Sequence, residues 1–376
     1  MMSDPTDFHA HFALLSDPRV ARTKKHLLSD ILFIAICTVA CDGEGFTDME
    51  VFGRAKQEWL RKYLELPGGI PSHDTFGRVF SIIDPEAFTE CFVNWTQAIH
   101  VATAGEVVAL DGKTVRHSFD TATGKSALHL VSAWASENGL ALGQVKVDDK
   151  SNEITAIPKL LEMIDVKGRI ITTDAMGCQK DIVKRIIEKK GDYVLCLKGN
   201  QESLHEEVKY FFDEAQAAGF EDVDHSYFES VEKDHGRIEI RRCWVVEDDA
   251  ITWLEKEDQW PGLKSIAAIC SQRRTAKKTS IETRYFISSL AGQPSKLVSA
   301  AREHWAIENS LHHVLDVTFN EDASRIRKDN APENLAILRK IVINLLKKQK
   351  STKASIRGRL KRAAWNNAFL ETILVG

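Results

Sequence analysis

The stretch EVVALDGKTV, residues 106–115, stays apolar from Val107 to Leu110 and then stops at Asp111, ahead of Gly112 and Lys113. GRIITTDAMG, residues 168–177, repeats the pattern: a β-branched run ends at Asp174, ahead of small residues. Short β-branched and aliphatic runs that end in polar or glycine-containing turns read as buried strands. Helices follow from the segments around them. NEITAIPKLLEMI (152–164) has helical periodicity with Asn152 as N-cap, and QKDIVKRIIEKKG (179–191) reads as a helix ending at Gly191. DYVLCLKGN (192–200) is a further strand and QESLHEEVKYFFDEAQAAG (201–219) a further helix. ALHLVSAWASENGLALGQVKV (127–147) reads as two strands turning at Glu137-Asn138-Gly139. A hairpin followed by helix–strand–helix–strand–helix predicts an α/β fold, a mixed sheet flanked by helices.

Outward from this core the character changes. Residues 1–100 read as a helical domain, with Leu27–Ala40 apolar nearly all round and so expected as a central helix. FTDMEVFGRAKQEWLRKYLEL (46–66) and SHDTFGRVFSII (72–83, Ser72 as N-cap) flank a break at PGGIP, a spacing compatible with a helix-turn-helix that touches DNA; Pro85 opens another helix to about His100. Residues 105–220 hold the first part of the core. Residues 221–291 alternate as a β-rich insertion, with a turn expected at His235-Gly236. Helix returns at Pro294 within 292–330, and 331–376 reads as a basic helical tail.

Composition narrows the function classes. Lys and Arg number 50 against 54 Asp and Glu, a net charge of −4, which excludes a global basic footprint but not local basic patches. The seven cysteines form no CxxC pair and read as buried hydrophobes in a reducing compartment. MMSDPTDFHAHFALL lacks the basic start and apolar core of a signal peptide, and ILFIAICTVAC (31–41) is too short to span a bilayer. A cytoplasmic protein with no membrane partner is expected.

Asp111 and Asp174 stand where strand ends bind ligands in open α/β sheets. Paired carboxylates there suit Mg²⁺ or Mn²⁺, although a lone strand-end Asp often only caps a turn. A third acid is needed, and HWAIENSLHHVLDVTFNED (304–322) offers one. At helical spacing His304, Trp305, Glu308 and His312 share one face, which puts Glu308 mid-helix beside groups that can hydrogen-bond or stack.

The motifs ALDGKTVRHSFD, KSNEITAIPKLL, TDAMGCQKDIV, DYVLCLKGNQ, HGRIEIRR, WPGLKSI, RYFISSL, HWAIENSLHHVLDVTFNEDASRIR and NLAILRK resemble, in order, the bacterial insertion-sequence transposases with a DDE active site. The branch resembled most is the H-repeat-associated proteins linked to Rhs elements, and DPRVARTKKHLLSDILFIAIC and GIPSHDTFGRVF are similar to its N-terminal domain. The resemblance spans about residues 15–370. It implies an RNase H-like core with Asp111, Asp174 and Glu308 as catalytic, metal-binding triad, and a β-rich insertion ahead of the Glu-bearing helix. It also implies two Mg²⁺ (or Mn²⁺) ions, strand cleavage by activated water, and strand transfer by a freed DNA 3′-hydroxyl. One departure is visible. Many such transposases carry a Tyr, Arg, Glu, Lys signature on the last catalytic helix, and relative to Glu308 the Tyr, Arg and Lys positions hold Ala301, His304 and Leu315.

The expected DNA contacts are Lys113, near the first acid; Lys198 and Asn200 in KGNQ, where a strand opens into a helix; and His304, Trp305 and His312. Arg273 and Arg274 in the basic loop SQRRTAKKT (271–279) join them. Arg339 to Arg362 holds ten Lys/Arg and no acid, which reads as a phosphate-binding face. The partners implied are double-stranded DNA, as element terminal repeats and target, and a second copy of the chain, giving a homodimer on DNA. Two other readings stay open at this point: a DNA-binding remnant that no longer transposes, and a metal-dependent nuclease of the same fold.

Overall fold

The computed structural model describes residues 8–101, 103–121, 123–148, 151–234, 236–247, 251, 254 and 260–375. The first seven residues, Lys150 of the KSNE stretch and His235 of the expected turn lie outside them. The Cα framework divides into two units: residues 102–111 with 151–307, and residues 1–101 with 112–150 and 308–376.

The unit built from 102–111 and 151–307 is a sheet flanked by helices. Its strands are the first half of β1 (Val107–Val115), then β4 (Ile170–Thr173), β5 (Asp192–Leu197), β6 (Ser226–Asp234), β7 (Arg237–Glu247), β8 (Ser265–Thr275) and β9 (Thr279–Ser288). They lie in the order β1-β4-β5-β9-β8-β7-β6. β1, β4 and β5 run parallel, and the remaining pairings are antiparallel. Three helices connect strands, α7 (Glu153–Met163), α8 (Lys180–Glu188) and α9 (Glu202–Ala217), as the periodicity predicts. Asn152 caps α7 by accepting from Ile154 N–H at 3.1 Å.

The β-rich segment extends this sheet: β9 pairs with β5 from Val194↔Ser288 to Leu197↔Tyr285. The long helix α10 (Pro294–Ile307) returns across it. Leu297, Val298 and Ala300 share one buried cluster with Val107, Ile170, Val194, Cys243, Val245, Ala267, Ile269 and Phe286. One face of six strands is therefore closed by one helix, with each strand giving alternate residues to the core.

The other unit is mostly helical. It holds α1 (Phe8–Phe12), α2 (Leu28–Ala40), α3 (Phe46–Ala55), α4 (Gln57–Leu60), α5 (His73–Ile82) and α6 (Pro85–Ile99), then the end of β1 and the hairpin of β2 (Leu128–Ala135) and β3 (Leu140–Lys146). α11 (His313–Val317), α12 (Ala331–Lys348), α13 (Ile356–Trp365) and α14 (Asn367–Val375) complete it. α2 is buried from Ile31 to Ala40, as its all-round apolarity predicts. The hairpin turns where expected, with Gly139 at φ +66°, a conformation that favours glycine. The span 46–66 is not one helix. It breaks at Lys56, whose Nζ meets Asn367 Oδ1 at 2.7 Å, and beyond the break Trp59 is buried with its Nε1 on Glu371 at 2.7 Å.

A larger correction concerns the tail. Residues 331–348 are no solvated basic face: α12 is buried from Leu335 to Leu346, with Arg339 and Lys340 inside. Lys340 Nζ donates to Gln144 Oε1 at 2.7 Å, and Arg339 pairs with Glu321 at 3.4 Å. Asn344 clamps the edge strand β3, donating to Ala141 C=O at 2.8 Å and accepting Ala141 N–H at 2.9 Å. A side-chain amide thus covers backbone groups that would otherwise be a pairing edge. Among the described residues no helix is long and apolar enough to cross a membrane.

Asn344→Leu keeps the volume but leaves both Ala141 groups buried and unmet. The expected cost is about 2–4 kcal/mol, read as a fall of several degrees in thermal melting. An unchanged melting temperature would contradict the clamp.

Candidate functional site

β1 and β4 pair in parallel from Val107↔Ile170 to Leu110↔Thr173. Asp111 and Asp174 are the next residue along each chain, so the register delivers them side by side, about 4.8 Å apart in backbone spacing; Asp174 follows the end of β4, whereas β1 does not stop at Asp111 as its sequence suggests but continues to Val115. Side chains alternate along a strand. Asp111 therefore lies on the face of Val107, and Asp174 follows Ile170 and Thr172, the face that α10 covers. Both acids are half-buried.

Asp174 sits at the mouth of a tight turn. Its Oδ1 accepts Gly177 N–H at 3.2 Å. The turn is packed closely: a Cβ on Gly177 would stand 2.6 Å from both Cβ and Oγ1 of Thr173. Asn200 Nδ2 donates to Ala175 C=O at 2.5 Å and Gln201 Nε2 to Cys178 C=O at 3.0 Å, so the KGNQ segment fastens this turn from the neighbouring strand. Asn200, expected on DNA, is a positioning contact here. Burial raises the Asp174 carboxyl above its ordinary value, and the Glu153 carboxylate adds to the rise; the Gly177 and Met176 N–H groups and the exposed Lys198 oppose it. A carboxylate partly buried near another carboxylate is a place where a cation is favoured. Sequence alone does not single out Glu153, although KSNE contains it, because nothing local says that α7 begins near Asp174.

α10 brings His304 to the same strand: its Nδ1 lies 3.1 Å from Thr172 Oγ1. Burial first, then Arg284 and Lys198, push its pKa down to about 4. The imidazole is therefore neutral at physiological pH. Trp305 is 42% exposed, with the Arg284 guanidinium 4.8 Å over its ring. Arg302 is engaged with Glu232, at 2.5 and 3.0 Å. Arg273 and Arg274 are exposed at the far end of β8.

In the other unit Glu308 is exposed and opens a π-helical turn, Glu308–His312, which interrupts the expected continuous helix. Such single turns are frequent at functional sites, and the wider turn rotates the helix beyond it out of phase. His312 is half-buried and its pKa is pushed down to about 3, by burial and then by Lys340 and Lys113. It carries no charge for DNA. Lys113 is also corrected. Its ammonium lies 2.7 Å from Asp316, 3.0 Å from Asp322 and 3.2 Å from Glu321, where it ties β1 to α11 and the segment after it. Burial works against its charge, but the carboxylates outweigh it and the pKa is raised. Among the described residues no three His, Cys, Asp or Glu side chains gather as metal ligands.

A family model described as "Transposase DDE domain" matches residues 102–345, the span that carries both acids, and one described as "DDE_Tnp_1-associated" matches residues 9–96. The chain is similar to "Putative transposase YncI" of Escherichia coli O157:H7, 43% identical over 368 residues, 97% of this chain and 93% of that one. It is similar to "H repeat-associated putative transposase YhhI" of Escherichia coli strain K12, 41% identical over 370 residues, 97% of each chain.

Two substitutions test these arrangements. Lys113→Met leaves three acids facing one another and should cost about 3–5 kcal/mol, seen in chemical denaturation; a loss under 1 kcal/mol would show the cluster to be solvated. Gly177→Ala should destabilise by about 1–3 kcal/mol through overpacking against Thr173, and the melting curve reads it directly.

Proposed function

From the premise that this chain belongs to the bacterial DDE transposases, in their H-repeat-associated branch, we propose that it cuts and joins DNA at the ends of an insertion sequence. The observation that carries this reading is the matched register that sets Asp111 beside Asp174. These two residues would hold a divalent cation, and Glu308 would supply the third carboxylate. α10 itself packs on the face of the sheet that carries Asp111 and Asp174. Leu297, Val298 and Ala300 face the core shared by Val107, Ile170 and Val194, and His304 meets Thr172. The donor set fits Mg²⁺ or Mn²⁺, which prefer carboxylate oxygen and keep open positions for phosphate.

When bound, two such ions activate the attacking water or 3′-hydroxyl and offset the charge that develops at phosphorus. The chain's own groups do the rest. The Gly177 N–H fixes one oxygen of Asp174, and Asn200 holds the turn that aims it. Lys198 offers a cation for the phosphate backbone, and Trp305 a ring for an unstacked base. His304 is neutral and orients against Thr172. Two element ends handled together call for a dimer on DNA.

The test is a cleavage and strand-transfer assay on plasmid DNA carrying the segments that flank the gene, with Mg²⁺ or Mn²⁺. Asp111→Asn, Asp174→Asn and Glu308→Gln should each lose cleavage by at least about a hundredfold while retaining DNA binding. Mn²⁺ should raise the melting temperature of the unaltered protein but not of Asp111→Asn. Full cleavage by any of the three variants would sink the triad, and cleavage without strand transfer would reduce the protein to a nuclease.

A further inference from the structure

Burial of α12 leaves the basic character of the C-terminal segment on α13, whose sequence IRGRLKRAAW has four Lys/Arg beyond its first residue and no acid. Leu360 and Ala363 turn inward. Two of the four cations are used internally. Arg359 donates to the carbonyls of Leu346, Thr352 (2.9 Å) and Ala354 (3.1 Å), and the Arg362 guanidinium lies 4.3 Å over the Phe369 ring. The other two, Arg357 and Lys361, are exposed and stand one turn apart, and Trp365 stands one further turn on, 80% exposed. Lys353, exposed, precedes the Ser355 cap four residues before Arg357. Arg357, Lys361 and Trp365 make one stripe with steps of about 6 Å along the helix, and Lys353 lies in the chain just ahead of it. Against the three cations stands Asp42, whose carboxylate Arg357 and Lys361 both stabilise although burial raises it.

An indole left mostly in water forgoes the burial that this side chain ordinarily gains. Among the described residues from 351 to 374, Trp365 is the one large hydrophobic that is exposed, so this segment itself offers no apolar run of the kind a lipid-inserting helix face carries. A row of cations ending in a bare aromatic ring matches a partner that carries both phosphates and flat bases. We propose that the outer face of α13 is a DNA-docking surface in which Lys353, Arg357 and Lys361 track the phosphate backbone and Trp365 stacks on an unpaired base where a strand leaves the duplex. The proposal rests on the reading of this protein as one that acts on DNA, and it assigns that DNA a contact made of different residues from the acid site.

The experiment measures binding alone, on the full-length protein in EDTA, so its outcome does not depend on the metal site. Fluorescence anisotropy is recorded with a blunt labelled duplex and with the same duplex bearing a 3′ single-stranded overhang. Trp365→Ala should weaken binding to the overhang DNA roughly 5- to 20-fold and change blunt-duplex binding far less. The double variant Arg357→Ala/Lys361→Ala should flatten the dependence of log Kd on log salt by about 1.8, near 0.9 for each phosphate no longer neutralised. Both variants alter exposed side chains, and circular dichroism melting checks that the fold is retained. Affinities and salt slopes equal to those of the unaltered protein would overturn the proposal. So would a Trp365→Ala variant that changes sedimentation while binding DNA normally, because the stripe would then be covered by a second copy of the chain. If instead these variants lose DNA and Asp111→Asn still cleaves, the docking surface stands and the acid-site reading falls.

Discussion

The parallel pairing of β1 with β4 is the constraint on which the rest of the molecule depends. Four backbone partners, Val107↔Ile170 to Leu110↔Thr173, place two acids abreast. A slip of one residue would separate Asp111 from Asp174 and turn one of them to the opposite face of the sheet. The register is held by burial: Val107 and Ile170 are in the same core as Leu297, Val298 and Ala300 of α10. Burial, and then the Glu153 carboxylate, oppose the ionisation of Asp174 and raise its carboxyl above the ordinary value. The fold supplies the stability that keeps the two acids there.

The β-rich segment takes part in that support. Its strands continue the sheet through β9 on β5, and they widen the surface on which α10 lies. α10 is thereby anchored along its length before it reaches Ile307, and the π-helical turn at Glu308 begins where that anchoring ends. A seventy-residue detour in sequence thus acts as a platform for the helix after it.

In the other unit, cations that look available to DNA are engaged within the protein. Lys113 faces Asp316, Glu321 and Asp322, Arg339 faces Glu321, and Lys340 donates to Gln144. Buried charges need such partners. The same burial keeps His312 neutral.

Much of this was legible in the sequence. The β-branched runs before Asp111 and Asp174, the caps at Ser72 and Asn152 and the hairpin at Gly139 are local signals, because turn chemistry and apolar periodicity act over a few residues. The identity of the acid pair came from the same local pattern. What sequence could not supply was which cations have acids opposite them. The ten Lys/Arg from Arg339 to Arg362 read as one basic face, yet Arg339 and Lys340 are buried while Arg357 and Lys361 are exposed. Lys113, His304 and Asn200 likewise changed role once their partners, more than twenty residues away in the chain, were in place. By itself the sequence determined most of the elements, the two acids that follow apolar strand runs and the family pattern; only the tertiary structure decided which charged groups face solvent, because burial and ion pairing depend on residues brought together from distant parts of the chain.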